Sequence, residues 1–203
     1  MDQTSPIEHR DYTGAKLGMW FFLFTEILLF GGMFLVYAEY RQLHFAEFHE
    51  AGREMNVFIG AANTIILLTS SLTMALSISE IKRGMKNRSL FFQAATVLLG
   101  IVFLVNKYFE WSHHIRGGFY PDSPELLKLS HGQILFFGLY YVMTGLHGLH
   151  VLVGCAVIAF MFAFTLAGKI GREHYSQLEN TCLYWHFVDI VWIYLYPLFY
   201  LIT

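Results

Sequence analysis

Charge is what this sequence has least of. Only 14% of its 203 residues are Asp, Glu, Lys or Arg, against about 25% in an ordinary soluble domain. Meanwhile 56% are hydrophobic and 18% aromatic, so the deficit points to a membrane. The formal net charge of −2 excludes the basic footprint of a nucleic-acid binder. Cysteine is scarce too. Cys155 and Cys182 both lie in apolar runs, neither with another cysteine at metal-site spacing, so no disulfide framework is implied and both read as small buried hydrophobes. The opening Met1 to Arg10 is polar and lacks the apolar core and cleavage site of a secretory signal, so the first apolar run is expected to stay in the mature protein. No repeat, low-complexity linker or segment large enough for a separate soluble domain interrupts the rest.

What the sequence does have is long apolar runs. A membrane-crossing helix needs about 20 mostly apolar residues, and five stretches qualify: residues 17–38, 57–79, 90–110, 134–167 and 181–202. The runs are continuous rather than alternating, which predicts helices and not barrel strands. The expected fold is an all-α membrane protein, one integral domain over 1–203. The fourth run has no charge and no proline between Lys128 and Lys169. As one helix it would extend about 50 Å, so it must tilt or protrude.

Topology decides its count. With Lys82, Arg83, Lys86 and Arg88 taken as cytoplasmic, five spans put Arg10, Lys16, Lys169 and Arg172 on that same side. The other side keeps Arg41, Arg53, Arg116 and Lys128, diluted by six acids. Splitting the fourth run would send Lys169 and Arg172 outside. Five helices are therefore expected, with the N-terminus cytoplasmic and the C-terminus periplasmic. Residues 41–53 mix charges with aromatics, as a short interfacial helix does.

Ionisable groups inside hydrocarbon need a reason to be there. Glu26 lies about 15 Å along the first helix from Lys16, too deep to reach water, so it should be protonated, partnered or facing a wet crevice. Asp189 poses the same problem in the fifth span. His186 and Asp189 share a helical face, so the imidazole could serve its own helix's carboxylate; His147 and His150 repeat the spacing, with Gly145, Gly148 and Gly154 nearby to let another helix approach. These groups predict a polar seam shared by the first, fourth and fifth spans. Asn63, Ser70 and Ser77, with Thr73 beside them, form a polar stripe suited to helix packing. Lys107 and Glu110, followed by His114, read as a cap on the end of the third span, Glu110 pairing with Lys107 or His114.

Three uses of the seam compete on residue grounds. A haem could be held between His150 and His186, though not between His147 and His150 on one helix. A metal could meet His147, His150 and Glu26, but no HExxH or His-rich pattern supports it. A hydrogen-bonded packing network, with or without proton handling, needs no further ligand. An independent proton or solute transporter using Glu26, His147, His150, His186 and Asp189 as a relay lacks the inverted repeat and broken helices such proteins often show.

At these residues the chain resembles subunit III of the haem–copper respiratory oxidases, over nearly its whole length. The matching runs are Trp20 to Glu26 with Leu29-Phe30, Asn63-Thr64 with Ser70 to Thr73, Tyr108 to Glu110, Thr144 to Val151, and Trp185 to Trp192. Five such runs in order, on five helices, resemble the short bacterial form, without the leading two-helix unit of longer members. The resemblance implies a non-catalytic subunit that binds no haem or copper itself, packs against subunit I beside subunit II in the bacterial inner membrane, and supports sustained turnover, proton uptake or oxygen access. It implies that Glu26 matches the family's carbodiimide-reactive intramembrane carboxylate. Phospholipid is a possible ligand, because longer members hold it between the leading unit and the bundle. The electron donor, cytochrome c or quinol, and a nitric-oxide-reductase-associated role stay open.

Overall fold

The structure is a computed structural model and describes residues 12–201, so Arg10 and the rest of the opening tail, and the end of the fifth span at Ile202, lie outside the described residues. Among the described residues there is no strand. Helix α1 (Tyr12–Leu43) is followed by a short α2 (Phe45–Gly52), then α3 (Val57–Lys82), α4 (Lys86–Arg116), α5 (His131–Leu166) and α6 (Ser176–Tyr196). A π-helical turn, Pro197–Leu201, closes the described chain. Helices α1, α3, α4, α5, and α6 with its π turn, are long and apolar enough to cross a membrane. The fourth apolar run is a single unbroken α5 of 36 residues, about 54 Å long.

Polar side chains set the helix starts. Asn56 accepts the Phe58 and Ile59 amides at the head of α3, and Ser130 with Gln133 forms a reciprocal capping box at the head of α5, each satisfying amides that have no partner within the helix. Gly84 (φ +80°) and Gly168 (φ +77°) follow α3 and α5, where a left-handed residue ends a helix without a Cβ penalty.

Helix α6 is the hub. It packs against α1, α3 and α5, while α3 pairs along α4 and α4 along α5. Half of the α6 span (50%) is buried, against 11% for α1, which lies on the outside of α5 and α6. Trp185 wedges α6 into the bundle. Added Cβ atoms at Gly100 and Gly154 would stand 2.9 and 2.8 Å from its ring, so both positions must stay bare. Gly145 likewise faces Trp111 at 3.1 Å, whereas Gly148 looks into open space and admits no neighbour within this chain.

The two ends differ. At one, Glu179 bridges Lys16 (3.5 Å) and Lys82 (2.6 Å), and Lys86 donates to the Leu166 carbonyl at 2.9 Å. At the other, α2 tucks under the head of α5, with Phe48 edge-on to Phe136 and to Tyr37.

Candidate functional site

The buried polar residues do not form one seam. They fall into separate sets, because each short side chain reaches only the helix facing it.

The set richest in charge lies between α4, α5 and α6. Lys107 and Glu110 sit one turn apart on α4, and both are buried, at 6% and 4% exposure. Lys107 Nζ donates to Glu110 Oε1 at 3.1 Å, to the Tyr140 hydroxyl at 3.0 Å and to the Tyr200 hydroxyl at 3.0 Å. Three N–H groups find three acceptors, which fully satisfies an ammonium. The tyrosines pass the chain on: Tyr140 donates to Glu110 Oε1 at 2.5 Å, and Tyr200 donates to the same oxygen. The ammonium also stands 4.9 Å from the Tyr140 ring centre and 5.4 Å from that of Trp192, close enough for cation–π attraction.

Lys107 pairs with Glu110 as their spacing suggests, but inside the bundle and not as a helix-end cap with His114. Helix α4 continues to Arg116, and the pair turns inward because only the interior supplies the tyrosine hydroxyls. His114 is buried edge-on against Tyr140 at 5.9 Å. Tyr140 and Tyr200 were not legible beforehand; they lie 33 and 93 residues from Lys107, and no local spacing links them.

Between α1 and α5, Glu26 Oε2 lies 3.0 Å from His150 Nε2, with both side chains mostly covered. His150 Nδ1 is 2.8 Å from the Leu146 carbonyl, which can only accept, so Nδ1 must carry a hydrogen. The Glu26 contact then holds one further proton, whether as carboxylic acid to imidazole or as carboxylate to imidazolium. Either way the pair is neutral, and neutrality is what lets it sit inside an apolar span. Phe30 covers the imidazole edge-on at 5.2 Å, and Tyr184 donates to the His150 carbonyl at 3.1 Å.

His186 serves another helix and not its own Asp189. Its Nδ1 meets Ser71 on α3 at 2.5 Å, and its Nε2 meets Cys182 at 3.2 Å. Asp189, 3% exposed, faces the same Ser71, although neither carboxyl oxygen reaches good hydrogen-bond geometry. His147 is enclosed as well: stacked on Trp192 at 5.3 Å and edge-on to Phe103, it has no partner for either ring nitrogen. So His147 and His150, three residues apart, lead separate lives.

The stripe on α3 is a packing surface toward α4 and α6. Asn106 donates to Asn63 at 2.9 Å, Thr73 meets Thr96 at 2.8 Å, and Ser77 meets Ser89 at 3.0 Å. Ser70 accepts the Trp185 indole N–H at 3.0 Å. Hydrogen bonds of this kind between membrane helices are worth about 0.6 kcal/mol each on average.

Among the described residues no group of three or more His, Cys, Asp or Glu comes together as a metal site. Both ring nitrogens of His150 and of His186 are engaged in hydrogen bonds. The arrangement supplies buried, mostly neutralised polar contacts between helices, and one internal proton shared by Glu26 and His150.

Comparison with known proteins adds an independent line. The sequence model described as cytochrome c oxidase subunit III matches residues 8–203. Cytochrome c oxidase subunit 3 of Thermostichus vulcanus is 32% identical over 97% of this chain and 90% of its own length. A heme-copper oxidase subunit I+III of Aeropyrum pernix is 30% identical over 97% of this chain, which spans 24% of that longer protein. A probable quinol oxidase subunit 3 of Staphylococcus haemolyticus is 28% identical over 98% of this chain and 95% of its own length.

Proposed function

Since this chain belongs to the cytochrome c oxidase subunit III family, we propose that it is the accessory subunit of a bacterial terminal oxidase that reduces oxygen to water and moves protons. The match over residues 8–203 is the observation that carries this reading. Membership makes it a multi-pass membrane protein of the haem–copper oxidase class, cytochrome c and quinol types both included.

The chemistry of its interior supports a finer role. It docks on subunit I, a reading favoured by the relative in which subunits I and III share one chain, and subunit II completes the complex. Haem and copper sit in those partners. The engaged nitrogens of His150 and His186 and the enclosure of His147 favour a chain that ligates neither. Its contribution is to brace subunit I and sustain turnover, with Glu26–His150 as the group best suited to proton uptake, being proton-bearing and, though mostly covered, not fully enclosed. The end bearing Lys16, Lys82 and Lys86 faces the cytoplasm, consistent with basic residues marking the inner side.

Affinity purification of the tagged chain from native membranes tests the assignment. Recovery with haem- and copper-bearing subunits is the expected result; recovery alone, with no oxidase partner, would overturn it. A quinol-oxidising complex is the second reading, favoured by the staphylococcal relative. A copper-site subunit II among the recovered partners would exclude it.

A further inference from the structure

Helix α6 carries a polar stripe in which the Glu26–His150 pair has no part. Glu179, Cys182, His186 and Asp189 follow one another at steps of three, four and three, so they share one face, the face turned toward Lys82 and Ser71 of α3. The stripe runs about 15 Å into the span. Its Glu179 end is wet: that carboxylate is 22% exposed and holds Lys82 at 2.6 Å. Its Asp189 end is closed, at 3% exposure.

The members between are joined. Cys182 Sγ stands 3.2 Å from His186 Nε2, and His186 Nδ1 stands 2.5 Å from Ser71 Oγ. Ser71 in turn faces Asp189. A thiol, a neutral imidazole and a hydroxyl can each both give and take a hydrogen, so the row has two possible directions. In one, the thiol donates to Nε2, Nδ1–H donates to Ser71, and the Ser71 hydroxyl donates to the Asp189 carboxylate. In the other, the Asp189 acid donates to Ser71, Ser71 donates to Nδ1, and Nε2–H donates to the Cys182 sulfur. The second holds one proton more, and that proton is on Asp189. Passing from the first to the second moves the thiol hydrogen to Nε2, the Nδ1 hydrogen to Ser71 and the Ser71 hydrogen to Asp189. A proton from water then restores the thiol, and no electron changes hands.

Enclosure selects the second direction at rest, because a carboxylate shut in without a cation is costly. The row also stops at Asp189. The next residue on the stripe, Trp192, is a donor only and gives its indole N–H to Thr64 at 3.0 Å.

We propose that Cys182, His186 and Ser71 form a relay through which Asp189 takes its proton from water at the Lys82 end, making Asp189 a proton store loaded from one side. The store lies between α3 and α6, apart from Glu26 and His150 on α1 and α5, and its dead end distinguishes it from a transport path. The inference rests only on these helices spanning a membrane, so its failure leaves the oxidase assignment untouched.

Infrared spectroscopy of the tagged chain, purified with its native partners, tests the relay. The carboxylic-acid band that disappears in Asp189→Asn belongs to Asp189, and its shift after transfer to heavy water times the exchange of that proton. Ser71→Ala should keep the band and slow its exchange by about tenfold or more, since one hydrogen-bonded step is gone. Ser71→Thr keeps the hydroxyl and should exchange at the wild-type rate. Cys182→Val, which fills the place of the thiol with apolar bulk, should slow exchange from the entry side. A wild-type chain without an Asp189 acid band would overturn the proposal. So would Ser71→Ala or Cys182→Val exchanging as fast as wild type or faster.

Discussion

Replacing Lys107 by Met should be among the most damaging single changes in this protein. The ammonium lies 3.1 Å from Glu110 Oε1, where a unit charge pair at an effective dielectric of about 20 attracts by about 5 kcal/mol. Most of that is offset by the cost of taking both charges out of water, so the pair as a whole adds little net stability. Removing one member alone is different. Glu110 would remain in place with two tyrosine donors and no counter-charge, a situation that costs about 3–5 kcal/mol. The double variant Lys107→Met with Glu110→Gln leaves no stranded charge and should recover at least about 2 kcal/mol relative to the sum of the single changes. Unfolding in mixed micelles by increasing dodecyl sulfate measures all four corners of this cycle, and Trp192, 5.4 Å from the ammonium, supplies a local fluorescence signal. A Lys107→Met protein within about 1 kcal/mol of wild type, or a strictly additive double variant, would refute the reasoning.

Other substitutions probe the remaining contacts. Glu26→Gln keeps a donor for His150 Nε2 and should leave assembly intact, while Glu26→Ala should lose about 1–3 kcal/mol in the same unfolding assay; equal damage from both would show that the acid itself is required. Gly154→Ala drives a methyl to within 2.8 Å of Trp185 and should cost about 1–3 kcal/mol, read as a lowered Tm. Asp189→Asn keeps a polar amide beside Ser71, so its Tm should stay within the change expected for about 1 kcal/mol; a collapse of folding would show that the carboxyl itself is required.

Much of the architecture was legible in the sequence because bilayer thickness imposes its own ruler. The five runs lie on α1, α3, α4, α5 and α6, and the interfacial helix at 41–53 falls on α2. Helix ends were less legible: α4 begins at Lys86 and α6 at Ser176, since helices continue past the apolar stretch into the polar boundary. The partners of buried groups were hardest. Sequence spacing suggested that His186 would serve Asp189, but its two nitrogens meet Ser71 on α3 and Cys182 one turn back on α6 instead. Tyr140 and Tyr200 illustrate the same limit, because nothing about a tyrosine in an apolar span says which charge its hydroxyl will meet.

The role proposed above makes this chain a redox-silent brace for a haem–copper core. It is tested most directly by stripping the chain from the purified oxidase and following haem absorbance, copper content and oxygen consumption in both fractions. The account predicts a colourless, copper-free chain and a depleted core that keeps its haem bands and initial rate but loses activity sooner during turnover. Haem or copper leaving with the chain would contradict it.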